Sequence, residues 1–162
     1  NDLNSTIRDI RAYILDLRPR QLKDEELTHG VQRLVQEFHA NTLVEVVFNS
    51  PREGMVRLSQ PQALALFHIC QEALANIAKH AKARKVEVTV WTTAERALLE
   101  VRDDGRGFDQ EKVKLTIGHG LSNMETRAVN AGGEVDISSE PGMGTTILAW
   151  VPFSEISSPT IE

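Results

Sequence analysis

Residues 99–108 read LEVRDDGRGF, a stretch in which an alternating strand runs directly into a glycine-rich turn. Leu99, Val101 and Asp103 share one face, because successive side chains of a strand point to opposite sides. Asp103 therefore ends the strand with its carboxylate toward the core. A buried carboxylate needs a hydrogen-bond donor. The donor is either a backbone N–H group of the following turn or the amine of a ligand.

A long helix is predicted at about residues 61–81, since a proline suits its first turn and apolar residues follow at helical spacing. One broad face of this helix carries its apolar side chains, which are Leu66, Phe67, Cys70, Ala73, Leu74 and Ile77. Glu72, Asn76 and Lys79 fall on the opposite stripe, with His80 at its edge. Such a stripe is usually only the wet side of a helix. Here it also offers oxygen ligands suited to Mg²⁺ and a positive charge for a phosphate.

Glycine-rich segments follow at three places. Gly105 and Gly107 lack side chains, which permits a sharp turn and the close approach of a flat ring. Residues 118–121 precede a predicted helix at 122–131, where backbone N–H groups and the helix dipole favour an anion. Residues 142–146 lead into the last predicted strand. Neither of these two segments has the spacing of a P-loop or of a dinucleotide-binding fingerprint, so each alone is compatible with a simple turn.

The other predicted elements do not alternate as strict βαβ units. A helix is predicted at 25–40 and strands at 43–48, 86–91, 99–103, 134–139 and 145–152, with a short partner strand at 55–58. This order favours an α+β fold, a two-layer α/β sandwich.

Residues 1–18 predict a helix that stands apart from the rest. Its apolar residues are spaced alternately by four and three positions, at Leu3, Ile7, Ile10, Ile14 and Leu17, and Pro19 ends it. The helix is either an amphipathic helix lying on the following domain or one helix of a bundle completed by other sequence. The regular spacing favours the bundle.

Composition sets the outer limits. The chain has 162 residues, of which 41% are hydrophobic and 25% charged, enough for one domain with an appended element. A net charge of -5 argues against a general nucleic-acid binder. The single cysteine excludes an internal disulfide, and no apolar run is long enough to span a bilayer. No signal peptide is visible, and we expect the chain to be a processed form or an excised piece.

Taken in order, these segments resemble the successive boxes of sensor histidine kinases of two-component systems. The matching residues are Gln71, Glu72, Asn76, Lys79, His80 and Ala81, then Asp103 to Phe108, then Gly118 to Leu121 with Met124 and Arg127, then Gly142 to Thr145. More narrowly, they resemble the subfamily whose response regulators carry helix-turn-helix output domains. The resemblance covers about residues 20–153, and the helix ending at residues 17–19 resembles the end of the dimerisation and phosphoacceptor region.

The resemblance implies the Bergerat (GHKL) ATP-binding fold, in which a mixed sheet is backed by helices. By this resemblance, Asn76 would ligate the Mg²⁺ that bridges the phosphates of ATP, with Glu72 beside it as a polarising or base-like carboxylate. Lys79 and His80 would face the phosphates.

The resemblance also implies an adenine end and a lid. Asp103 would accept the adenine N6 amine, Gly105 and Gly107 would let the base lie close, and Thr145 or Thr146 would help to hold that end. The ATP-binding residues would further include Gly118, His119, Gly120 and Leu121, with Gly118 and Gly120 as hinges of the lid. The stretch 109–117 is short for a lid, so we expect its closure to depend on a partner surface.

The chain departs from the family pattern at the phosphoacceptor. In the subfamily that it resembles, the phosphorylated histidine is usually followed directly by Asp or Glu, whereas the five histidines here precede Gly30, Ala40, Ile69, Ala81 and Gly120. We therefore expect the acceptor to be missing. Residues 1–19 would be the end of the dimerisation helix, 20–153 the catalytic ATP-binding domain and 154–162 a flexible tail.

The implied function is transfer of the ATP γ-phosphoryl to a histidine on a dimerisation domain, for relay to an aspartate of a response regulator. The implied partners are that domain, within a homodimer, and a response regulator that binds DNA. We expect this chain to work in the cytoplasm and not to bind nucleic acid directly. One alternative is a module that binds ATP without catalysis, which the presence of Glu72 and Asn76 disfavours. Another is an anti-sigma-factor serine kinase, which the helix ending at 17–19 disfavours.

Overall fold

The computed structural model describes residues 26–50, 56–58, 60–109 and 119–153. These contain three helices, α1 (Leu27–Thr42), α2 (Pro61–Asn76, continued by a π-helical turn Ile77–Ala81) and α3 (His119–Asn130), and five strands, β1 (Glu45–Asn49), β2 (Lys85–Thr92), β3 (Arg96–Asp103), β4 (Glu134–Ser139) and β5 (Thr145–Pro152). The predicted first helix, most of the predicted lid, and the tail lie outside the described residues.

Within this part of the chain the strands form one sheet in the order β1-β2-β3-β5-β4. β1 runs parallel to β2, and every other pair of neighbours is antiparallel. α2 packs against both α1 and α3, and the helices lie on one face of the sheet. The predicted α+β two-layer sandwich with a mixed sheet is therefore confirmed.

The core lies between the helices and the inner face of the sheet. On β3 every second residue from Ala97 to Val101 is buried, as the alternation predicts. The predicted apolar face of α2 is buried as well, and α2 lies in contact with both α1 and α3. Burial also raises the pKa of the Cys70 thiol to about 12, so this cysteine stays protonated and serves as a core residue.

The predicted partner strand at 55–58 is wrong for the residues described. Residues 56–58 make only an isolated antiparallel bridge, between Glu26 and Arg57. The parallel pairing partner of β1 is β2. The carbonyl of Val56 instead accepts the N–H of Leu27 at 2.7 Å, which satisfies one donor that the first turn of α1 leaves without a partner inside the helix.

Two helix ends differ from expectation. The predicted helix at 61–81 is present, but its last turn is π-helical and ends at Lys82 in the left-handed region, with φ 52°. The helix expected at 122–131 begins earlier, at His119, so that Gly120 belongs to its first turn. Packing of Met124 and Ala128 into the core stabilises α3 and outweighs the poor helix propensity of that glycine.

Candidate functional site

The carboxyl-terminal end of α2 carries the predicted polar stripe. Glu72 and Asn76 lie one turn apart and are both half-buried, whereas Lys79 and His80 are exposed in the π-helical turn. Single π-helical turns inserted in helices are frequent at functional sites. An amide oxygen and a carboxylate on one face, followed by two basic side chains, suit a hydrated divalent cation that accompanies phosphates.

Asp103 ends β3 with its carboxylate on the inner face, where it is 6% exposed. Its Oδ1 accepts the N–H of Gly105 at 2.7 Å. Within the described residues, Oδ2 has no hydrogen-bond donor. Burial raises the pKa of this carboxyl, the Gly105 N–H partly offsets that effect, and the charge of Asp104 raises the pKa further. The carboxylate thus retains acceptor capacity that a ligand amine can use.

Asp104 is exposed and has a different task. Its Oδ1 accepts the backbone N–H groups of Arg84 and Lys85, at 2.8 and 3.0 Å. These hydrogen bonds, from Lys85 and then Arg84, lower the pKa of the Asp104 carboxyl. Asp104 therefore anchors the glycine turn to the segment that connects α2 to β2.

The glycine turn lies against the end of α2. The N–H of Arg106 donates to the carbonyl of Ala81 at 2.8 Å. A Cβ at Gly105 would collide with that same carbonyl, and one at Gly107, where φ is +64°, would collide with the carbonyl of Glu140. Glycine is therefore required at both positions, and the turn brings the end of β3 next to the polar end of α2.

The hairpin turn between β4 and β5 closes the other side of the site. The N–H of Gly142 donates to the carbonyl of Arg106 at 2.6 Å. Thr145 lies opposite Asp103 in the β3–β5 register and so shares the inner face with it. Thr146, the other threonine predicted for this position, lies opposite Arg102 and on the outer face. The structure thus brings Thr145, and not Thr146, to the side of Asp103.

The glycine segment before α3 is only partly described. Gly118 lies outside the described residues, and His119 and Gly120 form the first turn of α3. Leu121 is half-buried against the core, which fixes the start of the helix. The amino-terminal end of α3 carries the partial positive charge of the helix dipole.

Sequence reasoning missed the role of Ser139. Its Oγ accepts the N–H of Phe108 at 2.9 Å, donates to the carbonyl of Gly144 at 3.0 Å and lies 2.8 Å from Oγ1 of Thr145. Ser139 therefore ties the glycine turn to the hairpin turn. Its position at the end of an alternating strand, directly before a turn, was the only signal available.

The protein is thus an α+β sandwich whose polar site lies at the end of the sheet. The end of α2, the glycine turn after β3 and the hairpin turn between β4 and β5 surround this site. Residues 61–155 match the family described as histidine kinase-, DNA gyrase B- and HSP90-like ATPases, and the chain belongs to that family.

Two relatives are a sensor protein and a sensor histidine kinase. The chain is 33% identical over 152 residues to the sensor protein VraS of Staphylococcus saprophyticus, which covers 93% of this chain and 42% of the relative. It is 33% identical over 145 residues to the sensor histidine kinase LiaS of Bacillus subtilis, covering 90% of this chain and 39% of the relative. The chain thus spans about two-fifths of the length of these relatives.

A solved structure shares the fold. The histidine kinase domain of the blue-light activated histidine kinase EL346 from Erythrobacter litoralis superposes with a TM-score of 0.66, over 93% of this chain and 76% of that one, at 18% identity. The family match confirms the predicted ATPase family, and the solved structure confirms the predicted fold class.

Proposed function

We propose that this chain is the ATP-binding catalytic part of a sensor histidine kinase, which transfers the γ-phosphoryl of ATP to a histidine supplied by a dimerisation domain. The observation that carries the proposal is the buried Asp103 carboxylate at the end of the inner sheet face, next to the polar stripe of α2. The match to the ATPase family supports it, as do the relatives, a sensor protein and a sensor histidine kinase.

At the adenine end, Asp103 accepts the N6 amine of the base. Its Oδ1 is held by Gly105, and its Oδ2 has no donor among the described residues. A hydrogen bond from a ligand amine therefore relieves part of the cost of keeping this carboxylate buried. Gly105 and Gly107 leave the turn without side chains, so that the base can lie against the backbone.

At the phosphate end, Asn76 and Glu72 suit Mg²⁺. No group of three or more His, Cys, Asp or Glu residues in the described ranges is arranged to hold a metal ion by itself. This is compatible with Mg²⁺, which binds through one or two side chains together with phosphates and waters. Asn76 would hold the ion with Glu72 nearby, and the ion when bound supplies positive charge against the phosphates.

Phosphoryl transfer requires mainly positioning and charge neutralisation. Lys79 and His80 place basic groups at the end of α2. By this proposal, the segment Gly118–Leu121 would contribute the amino-terminal end of α3, whose dipole favours an anion. Glu72 would act on the incoming nucleophile as a polarising or base-like carboxylate. The reacting histidine comes from elsewhere, since no histidine of this chain is followed by an acidic residue.

The wider assignments follow from the kinase proposal. The phosphoacceptor lies on a dimerisation domain of which residues 1–19 form the end, so that the intact protein is a homodimer. A response regulator, with a DNA-binding output domain, takes the phosphoryl group. By the same proposal the chain works in the cytoplasm and contacts no nucleic acid itself. No helix in its described ranges has the length and hydropathy needed to cross a membrane.

Replacement of Asp103 by asparagine tests the adenine assignment. We expect Asp103→Asn to weaken Mg²⁺-dependent binding of ATP and of ADP by roughly 10- to 100-fold, the loss typical of a hydrogen bond to a charged group. Isothermal titration calorimetry measures the binding, and circular dichroism verifies the fold. The matched control is Asp136→Asn, on the exposed side of β4, which should bind normally. Undiminished binding by Asp103→Asn would overturn the assignment.

A further inference from the structure

A row of three polar side chains ends the inner face of the sheet on β3, β5 and β4. Asp103 on β3 lies opposite Thr145 on β5, and Thr145 lies opposite Ser139 on β4. The next row inward, on the same three strands, is apolar and consists of Val101, Ile147 and Ile137. The polar row therefore forms the boundary between the core and the proposed adenine end.

The hydrogen bonds of Ser139 leave one consistent arrangement. A serine hydroxyl has one proton to donate and two lone pairs to accept with. The N–H of Phe108 can only donate, so it occupies one lone pair of Ser139, at 2.9 Å. The carbonyl of Gly144 can only accept, so it takes the Ser139 proton, at 3.0 Å. At 2.8 Å, Thr145 must then donate its own proton to the second lone pair of Ser139.

This arrangement determines what Thr145 offers to a ligand. Since its proton is committed to Ser139, its Oγ1 retains only lone pairs. The neighbouring Asp103 carboxylate is also an acceptor, with no donor on Oδ2 from the described residues. The two side chains therefore offer a ligand only hydrogen-bond acceptors and no donor, whether the ligand contacts them directly or through a bridging water. Such a pair favours an amine and repels a carbonyl oxygen.

We propose that Ser139 is a positioning residue that fixes Thr145 as a hydrogen-bond acceptor and so makes the site select a 6-aminopurine over a 6-oxopurine nucleotide. The proposal rests on the proposed function, because it assumes that a purine base lies beside Asp103 and Thr145. It goes further in assigning the selection to a residue that need not touch the base.

The test compares ATP with ITP, in which a carbonyl replaces the 6-amino group. In the unmodified chain we expect ITP to bind more weakly than ATP. In Ser139→Ala the Thr145 proton is released and can be donated to the carbonyl of ITP. The ratio of the ITP to the ATP dissociation constant should then fall by roughly 3- to 10-fold, about the effect of one hydrogen bond. The matched control is Ser138→Ala, at the adjacent exposed position of β4, which should keep the original ratio.

The ratio of the two dissociation constants distinguishes a role of Ser139 in base selection from a purely structural role. If Ser139 only holds the two turns together, Ser139→Ala weakens ATP and ITP equally and the ratio stays unchanged, which overturns the proposal. An equal affinity of the unmodified chain for the two nucleotides overturns it as well. Should Ser139→Ala not fold, Ser139→Cys nearly keeps the size of the side chain but is a weaker acceptor for the Thr145 proton, and the ratio should fall in the same direction. Absence of ATP binding by the unmodified chain would instead refute the proposed function.

Discussion

Asp103 and Asp104 are neighbours in sequence, yet their environments shift their pKa values in opposite directions. Burial raises the pKa of Asp103, so ionisation of this group costs stability: its contribution is most favourable at acid pH and is lost as pH rises through the raised value. The N–H groups of Lys85 and Arg84 lower the pKa of Asp104, so its contribution is present near neutral pH and is lost as pH falls through the lowered value. One carboxylate is kept ready for a ligand, and the other stabilises the turn.

Asp104→Ala tests this division at the level of stability. The variant loses the acceptor for two backbone N–H groups, and we expect the free energy of unfolding to fall by about 1 kcal/mol near pH 7, after allowance for solvent screening of an exposed group. The loss should shrink below about pH 4, where the ordinary aspartate is protonated. Urea unfolding at several pH values measures it, with Asp136→Ala as the exposed control. A loss that is the same at acid and neutral pH would contradict the role of the charge.

The residues around Asp103 show which features of the site the sequence can predict. The alternation of residues 99–103 was sufficient to place Asp103 on the core side, because a strand has only two faces. The choice between Thr145 and Thr146 was not accessible, since a shift of one residue in register exchanges the two faces. That register depends on the hairpin turn, in which Gly142 and Gly144 have φ values of 82° and 76°.

At the level of elements, the described helices and strands were predicted well where their periodicity is long, and less well at their ends. The apolar face of α2 was clear from its spacing, but the π-helical form of its last turn has no signature in residue type. The low helix propensity of glycine predicts a start of α3 later than His119, whereas packing of Met124 and Ala128 decides the outcome. The short segment at 56–58 has strand-like composition, and only the tertiary structure shows that it pairs with the start of α1.

The end of α1 offers a test of element stability. Leu43 closes this helix in the left-handed region, with φ 63°, and its side chain is 79% exposed. Glycine at this position removes about 1–2 kcal/mol of steric cost from the folded state. Part of this gain is offset because glycine loses more conformational entropy on folding than leucine does. We therefore expect Leu43→Gly to raise the free energy of unfolding by about 0.5–1 kcal/mol.

Urea denaturation measures this change. The matched control is Val129→Gly, an exposed apolar residue in the last turn of α3, where glycine should lower stability slightly. A decrease in the stability of Leu43→Gly would show that the left-handed residue is not strained.

On the scale of the whole molecule, the described residues form an ATPase-family sandwich whose polar site is assembled from distant parts of the chain. The end of α2, the turn after β3 and the hairpin between β4 and β5 converge at one edge of the helix-covered face. Sequence order alone predicted that these segments act together, through their resemblance to kinase boxes. The hydrogen bonds that join them, such as those of Ser139 and Ala81, required the structure. The proposed reaction also needs an acceptor histidine, which by the same proposal is supplied by residues outside this chain.

Transfer of the γ-phosphoryl group tests the central claim most directly. This chain and the full-length protein are incubated separately with Mg²⁺ and ATP radiolabelled at the γ-phosphate, and the chain is also mixed with the separately produced dimerisation domain. We expect acid-labile label on the full-length protein and on the added domain, and none on this chain alone. Label on this chain when it is incubated by itself would contradict the account. So would the absence of label from both the full-length protein and the added domain although ATP binds.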